Sequence, residues 1–160
     1  MITNIENDYQ KIDEVDVGEN VKICSFVNLY GCKIGNGSKV GSFVEIQKGS
    51  SIGCNCKIQS HTFICEGVHI GNGVFVGHNV SFINDKYPKA VNKDGDLIDS
   101  YDEWQLRQTF VEDEVSIGTS ATIMGGVTIG KGATIGAGAM VLKDVPPGCT
   151  VVGNPAHIVR

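Results

Sequence analysis

The residues of this chain whose types could support chemistry are four histidines and one short polar segment. The histidines are His61, His69, His78 and His157. Histidine acts as a general base or a metal ligand near neutral pH, because its unperturbed pKa is about 6.5. The segment Phe82-Ile83-Asn84-Asp85 contains no histidine and places a carboxamide beside a carboxylate. The chemistry open to these side chains depends on the elements that position them.

Length and composition predict one globular domain. A chain of 160 residues, 41% of them hydrophobic, is long enough to bury a sizeable core. No apolar run approaches the roughly 18 residues that a membrane span needs, and the acidic N-terminal segment lacks the apolar core of a signal peptide. The net charge of −5 disfavours a nucleic-acid partner. We therefore expect a cytoplasmic protein with neither a membrane nor a nucleic-acid partner.

The chain contains six cysteines. Their spacing fits no zinc module, and Cys54-Asn55-Cys56 is too short for a CxxC motif. Reduced thiols that pack in the core are the expected state.

An aliphatic residue recurs every six positions through most of the chain. This six-residue repeat runs from Val17 to Phe82, and the spacing between Leu29 and Ile34 is shorter by one residue. A small or β-branched residue lies four positions after each aliphatic. Six residues advance an α-helix by about 600°, which would spread the aliphatics over several faces. Near the C-terminus the aliphatic positions are Val111, Ile117, Ile123, Ile129, Ile135 and Val141.

A short strand followed by a turn explains the period of six. The large aliphatic and the small residue point inward, and the glycine-containing part turns the corner. Three such units close a triangular coil of 18 residues, so that Ile117 stacks on Ile135 at about 4.8 Å, the strand spacing. The sequence therefore predicts an all-β parallel solenoid with an aliphatic interior.

This repeat resembles that of the hexapeptide-repeat acyltransferases over residues 17 to about 152. The resemblance implies a left-handed parallel β-helix that forms one domain, residues 1–160, with a C-terminal cap at about 146–160. It also implies a homotrimer with active sites in the clefts between neighbouring subunits and acetyl-CoA as the acyl donor. No metal is expected, because His61, His69 and His78 fall at different phases of the repeat.

The six-residue repeat stops after Phe82 and resumes at Val111, which predicts a long projecting loop at about residues 83–110. The loop contains Trp104, two tyrosines and a turn at Lys93 to Gly95. Loops of this length are usually functional or disordered, and the aromatic residues argue against disorder. We expect a functional arm that reaches a neighbouring subunit or covers a substrate.

The stretch from Glu66 to about Pro88 resembles the N-acetyltransferases of nucleotide-linked 3-amino sugars. Their substrates include UDP-linked diamino uronic acids and dTDP-linked 3-amino-dideoxyhexoses, which are used in surface polysaccharide synthesis. The resemblance implies that Asn84 binds the sugar amine. The simpler alternative is that Asn84 is a turn residue at the end of a strand. Further substrate contacts are predicted at Asp85, Tyr87, Lys89 and Glu66.

Transfer to an amine needs little more than positioning. A sugar amine beside electron-withdrawing oxygens has a pKa nearer about 8 than the lysine value of about 10.4, so a useful fraction is unprotonated at neutral pH. Holding that amine about 3 Å from the thioester carbon can supply several kcal/mol. An alcohol acceptor would require a true base. The absence of histidine from the loop therefore favours N-transfer.

His78 leaves an alternative open. It precedes Asn84 by one turn of the repeat and could assist proton removal or contact substrate, although the pattern favours a packing or surface role. As a general base it would make the protein an O-acetyltransferase of a sugar or of serine. A third alternative is a zinc solenoid of the γ-carbonic anhydrase type, but that class has two histidine ligands five residues apart, and no such pair occurs here.

The C-terminal half is predicted to bind the donor. Thr119 and Ala137 are separated by the length of one coil, so they stack at equivalent corners, where related acetyltransferases contact the pantetheine arm. Lys143 and Arg160 match basic residues that face the phosphates and the adenosine end, a role suited to their charge and donor number. The plainer interpretation of Lys143 is a solvated corner residue.

Overall fold

The computed structural model describes residues 5–7, 9–98 and 105–160. Tyr101 and Trp104 of the predicted arm lie outside the described residues. The described chain is built from short strands that stack into three sheets around a triangular coil. The all-β parallel β-helix predicted from the six-residue repeat is confirmed. Within these residues, no helix has the length and apolar character that crossing a bilayer requires.

Each sheet forms one face of the coil. In stacking order, the first face contains β1 (Ile5–Asn7), β2 (Gln10–Asp13), β5 (Val27–Tyr30), β8 (Glu45–Ile46), β11 (Phe63–Ile64), β14 (Ser81–Phe82), β17 (Thr122–Ile123) and β20 (Met140–Val141). The second contains β4 (Lys22–Ile23), β7 (Lys39–Val40), β10 (Lys57–Ile58), β13 (Phe75–Val76), β16 (Ser116–Ile117), β19 (Thr134–Ile135), β21 (Thr150–Val152) and β22 (His157–Ile158). The third contains β3 (Asp16–Val17), β6 (Lys33–Ile34), β9 (Ser51–Ile52), β12 (Val68–Ile70), β15 (Thr109–Val111) and β18 (Thr128–Ile129).

Strand register follows the length of one coil. Ile52 pairs with Ile34 in the preceding coil and with Ile70 in the next. Val17 pairs with Ile34 across a coil that is shorter by the dropped residue, as the sequence predicts. The strand pairs at the two ends, β1 with β2 and β21 with β22, run antiparallel, whereas the other described pairs are parallel. Chain reversal at the ends pairs edges that would otherwise remain open.

The interior of the coil is aliphatic. Ile46, Ile64, Ile123 and Ile129 have no exposed surface, and the smaller inward position is also buried. Where that smaller residue is polar, its side chain bonds to a backbone group, as when the Ser50 hydroxyl donates to the Cys65 carbonyl at 2.9 Å. These bonds satisfy polar atoms whose burial would otherwise cost stability.

Two corners of the coil contain most of the site residues predicted from the sequence. We call the corner between the first and third faces corner A; it contains Lys48, Glu66, Asn84, Gly125 and Lys143. Corner B lies between the second and first faces and contains Phe43, His61, His78, Thr119 and Ala137. A backbone with positive φ recurs at such corners, for example at Phe43 and His61, and tightens each turn of the coil.

The projecting arm leaves corner A between Phe82 and Thr109. Strands on either side of it pair with each other in register, as Phe82 does with Ile123, so the arm is an insertion into a single coil. Residues 90–98 form a small hairpin in which Val91 bridges Leu97. Its turn contains Gly95 at a φ of +88°, which confirms the turn predicted from Lys93 to Gly95.

Candidate functional site

Asn84 is held at corner A by the coils on both sides of it. Its side-chain amide nitrogen donates a hydrogen bond to the Glu66 carbonyl, one coil earlier, at 3.1 Å. On the other side, a Cβ at Gly125 would lie 2.6 Å from the Ile83 carbonyl oxygen and 3.1 Å from the Asn84 Cα. Because only glycine permits this approach, Asn84 is fixed by stacking as well as by its hydrogen bond.

The arm and corner A enclose a cavity of about 470 Å³. The described residues that line it are Asn84, Asp85, Lys86, Tyr87, Lys89, Ile98, Gln105 and Arg107. Three of these carry positive charge and one carries negative charge, in a protein whose net charge is −5. A concave, cationic site of this kind suits an anionic small molecule with several hydrogen-bonding groups.

The first residues of the arm form a tight turn. One carboxylate oxygen of Asp85 accepts a 2.9 Å hydrogen bond from the Tyr87 backbone N–H. The Lys86 ammonium lies 5.5 Å from the centroid of the Tyr87 ring, and that ring is 75% exposed. Asp85 therefore shapes the turn that presents Tyr87 and the two neighbouring lysines to the cavity.

Glu66 supports the site from the preceding coil. Its backbone N–H donates to the Gln47 side-chain oxygen at 3.3 Å, and the Gln47 amide donates to Glu45 at 3.0 Å. The cavity lining within the described residues does not include Glu66. The predicted substrate residue Glu66 is thus brought next to Asn84 through its backbone, in the row of polar groups beneath the cavity.

Arg107 is a site residue that the sequence analysis missed. It lines the cavity, and its backbone N–H donates to the Asn84 carbonyl at 3.4 Å. A guanidinium binds phosphate through paired donors. The available signal was its rarity: Arg107 and Arg160 are the only arginines in the chain, and Arg107 lies just before the repeat resumes.

His78 lies at corner B rather than with Asn84. Its carbonyl accepts a 2.8 Å hydrogen bond from the Ser120 N–H, and the Thr119 carbonyl accepts one from the Gly138 N–H at 2.8 Å. His78, Thr119 and Ala137 are therefore in one exposed column, in successive coils. Six residues of extended chain, which span at most about 20 Å, separate His78 from Asn84 across the first face.

The two predicted phosphate-binding cations lie apart. Lys143 is exposed at corner A, two coils beyond Asn84, or about 10 Å along the coil axis. Arg160 is exposed in the C-terminal cap, where its carbonyl accepts a 2.8 Å hydrogen bond from the Thr150 N–H. This bond places Arg160 at the start of β21, at the opposite edge of the second face from Ala137.

The other histidines have structural contacts. His61 stacks on Phe43 with ring centroids 4.8 Å apart. His69 stacks on Phe110 at 5.2 Å, and its Nδ1 lies 3.0 Å from the Ser51 hydroxyl oxygen. Among the described residues, no three histidine, cysteine, aspartate or glutamate side chains are grouped so as to hold a metal ion.

Burial controls the state of three thiols. Desolvation raises the pKa of Cys32 and of Cys65 to about 12, and it also raises the pKa of Cys56. These thiols stay protonated at neutral pH and pack as small apolar groups, as the sequence predicts. Cys24 is exposed.

The fold and the corner sites define a parallel β-helix built from hexapeptide repeats, with a polar cavity where one repeat is interrupted. Residues 108–143 match the family described as bacterial transferase hexapeptide (six repeats).

Known proteins resemble the chain over most of its length. The bifunctional protein GlmU of Acidithiobacillus ferrooxidans is 32% identical over 139 residues, which cover 86% of this chain and 30% of that protein. The structure of AntD, an N-acyltransferase from Bacillus cereus in complex with dTDP and coenzyme A, matches with a TM-score of 0.77 and 19% identity, covering 91% of this chain and 82% of that one. Soybean serine acetyltransferase complexed with serine matches with a TM-score of 0.53 and 31% identity, covering 81% and 40%. The chain therefore spans less than a third of the GlmU relative and most of the AntD fold.

Proposed function

We propose that the protein is an acetyl-CoA-dependent N-acetyltransferase that acts on the amino group of a nucleotide-linked 3-amino sugar, for surface polysaccharide synthesis. The observation that carries the proposal is the orientation of Asn84. Its amide nitrogen is bound to the Glu66 carbonyl, and its side chain lines a cationic cavity. The likeness to AntD, which was solved with dTDP and coenzyme A, supports the same assignment.

Asn84 supplies an acceptor for the substrate amine. With its nitrogen committed to Glu66, the carboxamide turns its oxygen away from that carbonyl, where an amine N–H can donate to it. This hydrogen bond orients the nitrogen lone pair toward the thioester carbon. A bond forms between nitrogen and the acyl carbon while the carbon–sulfur bond breaks, and the departing thiolate takes up the proton that the amine loses.

The cations of the cavity match the other end of the acceptor. A nucleoside diphosphate sugar carries two negative charges on its bridging phosphates. Among the described residues that line the cavity, Lys86, Lys89 and Arg107 outnumber the one carboxylate, Asp85. Arg107 offers paired donors and the lysines offer point charges, so the diphosphate is placed beside Arg107 while the sugar amine reaches Asn84.

Donor and acceptor groups come together only between two copies of the chain. Thr119 and Ala137 lie at corner B, whereas Asn84 and its cavity lie at corner A, across the first face. A second copy whose corner B faces this corner A would complete the site, with Lys143 available to a phosphate of coenzyme A. A homotrimer provides three such clefts, since each copy then contributes both corners.

The direct test is acetyl transfer to amino-sugar nucleotides. Purified protein is incubated with acetyl-CoA and dTDP- or UDP-linked 3-amino sugars, and the product is followed by mass spectrometry together with thiol release. Reactions without acceptor give the baseline, which matters because Cys24 is exposed and reacts with thiol reagents. Acetylation of the 3-amino group is expected. Absence of product with every amino sugar would refute the proposal.

O-acetylation of a sugar or serine is the second candidate, and the exposure of His78 beside Thr119 and Ala137 favours it. The two candidates differ in what His78 contributes. If the acceptor is an alcohol, His78→Ala removes the general base, and the rate falls by about 10²-fold or more. If the acceptor is an amine, the same change lowers the rate only a few-fold, and Asn84→Ala is the more damaging substitution.

A further inference from the structure

An exposed aromatic ridge runs along the N-terminal half of corner B. The Phe26 and Phe43 rings stack with centroids 5.0 Å apart and an interplanar angle of 6°, and His61 continues the stack at 4.8 Å. Phe26 and Phe43 are each 53% exposed. Because the ring faces cover one another, the part of the rings that is exposed to solvent is a continuous apolar edge. Contiguous exposed aromatic surface of this kind marks an interaction site.

A row of lysines lies beside this ridge on the second face. Lys22, Lys39 and Lys57 are in direct register in β4, β7 and β10, about 4.8 Å apart in successive coils. All three are exposed. The ion pair found among the described residues joins Lys131 to Glu114, and none of these three lysines takes part in it. Repulsion between like charges on adjacent strands is destabilising, and contact with an anionic group would offset it.

The arm presents the complementary surface. Val91 and Leu97 are partners across the hairpin, so their side chains share one face, and they are 44% and 70% exposed. The carboxylates of Asp94 and Asp96 lie at the turn, where the backbone N–H groups of both residues bond to the Asn92 side chain. The turn also contains the exposed Lys93, so the hairpin joins an apolar face to a tip in which two carboxylates outnumber one lysine.

We infer that the arm hairpin, residues 90–98, of one copy docks on the aromatic ridge and lysine row of a second copy. Val91 and Leu97 cover the edges of Phe26 and Phe43, while the acidic tip faces the lysines. Contact between two ridges is disfavoured, because it would bring one lysine row against another. A copy cannot supply this contact from its own arm without crossing a whole face, because the arm leaves corner A and the ridge lies at corner B.

Cross-linking tests the contact directly. Cys24 is exposed two residues before Phe26, so it reports on the ridge. A Leu97→Cys variant, with Cys54→Ser and Cys149→Ser to remove the half-buried thiols, is treated with a short bismaleimide. We expect covalent oligomers in which Cys24 of one copy is joined to the introduced thiol of another, identified by mass spectrometry from mixed isotopically labelled chains. The control is the same variant with Cys24→Ser, and a second control replaces Leu97→Cys by Thr134→Cys, at the far end of the second face.

Charge exchange provides the second measurement. Lys39→Glu or Asp94→Lys alone is expected to weaken self-association about 10-fold in analytical ultracentrifugation, and the double variant is expected to recover most of it. If Phe43→Ser dissociates the oligomer while Leu97→Ser and Asp94→Lys do not, the ridge contacts something other than the arm and the inference is wrong. It is also wrong if no cross-link forms between copies. Neither readout uses acetyl transfer, so the inference and the proposed activity stand or fall separately.

Discussion

The side-chain amide nitrogen of Asn84 bonds at 3.1 Å to the backbone carbonyl of Glu66, one full coil earlier. This bond links the start of the arm to the coil that precedes it. It also sets which end of the carboxamide faces the cavity. The predictions for catalysis depend on that orientation.

Replacement of Asn84 by alanine removes the hydrogen bond to Glu66 and the proposed acceptor for the substrate amine. We expect kcat to fall by about 100-fold, with the KM for acetyl-CoA unchanged, because misplaced reactants lose the advantage of positioning. Steady-state kinetics with the best acceptor measure this. Gln108→Ala is the matched control, since Gln108 is exposed at the base of the arm and does not line the cavity. Equal activity of the two variants would remove Asn84 from the mechanism.

Replacement of Arg107 by glutamine removes a charge from the cavity. Charge-assisted hydrogen bonds contribute about 1.5–3 kcal/mol, so the KM for the nucleotide sugar is expected to rise by about 10–100-fold. Arg107→Lys should recover part of the affinity, because it keeps the charge but loses the paired donors. Lys33→Gln, on the third face, is the control for net charge. An unchanged KM for Arg107→Gln would show that the phosphates bind elsewhere.

Two glycine substitutions separate the acceptor side from the donor side. A Cβ at Gly125 meets the Ile83 carbonyl and the Asn84 Cα, whereas a Cβ at Gly118 meets the backbone nitrogen of Ala137 at 2.4 Å. Gly125→Ala is therefore expected to impair use of the amino sugar, and Gly118→Ala to raise the KM for acetyl-CoA. Thermal unfolding of both variants controls for general destabilisation. The same kinetic defect in both would contradict the division between the two corners.

Stability is expected to fall in alkaline solution because of the buried thiols. Burial raises the pKa of Cys32 and Cys65 from 9.0 to about 12. Between these values the unfolded chain loses protons that the folded chain keeps, so the free energy of unfolding decreases as pH rises from about 9 to about 12. Below about pH 9 this contribution is fully present. Urea unfolding across this range measures the effect.

Cys65→Val tests the origin of this alkaline loss. The substitution removes one titrating group from the core, so the decline in the free energy of unfolding should become shallower. Ile64→Val is the control, because it alters the packing of the same core without removing a titrating group, so the slope should stay unchanged. Identical slopes for Cys65→Val and the parent protein would show that other groups cause the loss.

The fold could be predicted because the position of a residue within the six-residue repeat determines whether its side chain points inward. Ile117 pairs with Ile135 and both are buried, as the length of one coil requires. The same arithmetic placed Thr119 and Ala137 in one column. The structure also places Lys143 in the column of Asn84, at the equivalent position two coils later.

The site was less predictable because the phase is lost inside the arm. A strand position can be counted forward from Phe82, but Arg107 follows an excursion whose length bears no relation to the period of six. The repeat locates the return of the coil at Val111, but only the structure shows that Arg107, four residues earlier, bonds to Asn84. The turn at Lys93 to Gly95 was recognisable from local chemistry, whereas the bridge between Val91 and Leu97 was not. The role of His78 stays a prediction.

The strands on the two sides of the arm pair as regularly as strands in an uninterrupted part of the coil. Ile83 donates its N–H to the Ile123 carbonyl at 2.9 Å, and Ser81 pairs with Thr122 in the ordinary register of the wall. An arm of another length or composition could be inserted at the same point without changing the hydrogen bonds between the strands of the coil. The lining of the cavity can therefore diverge through exchange of the arm, while the coil that carries it stays the same.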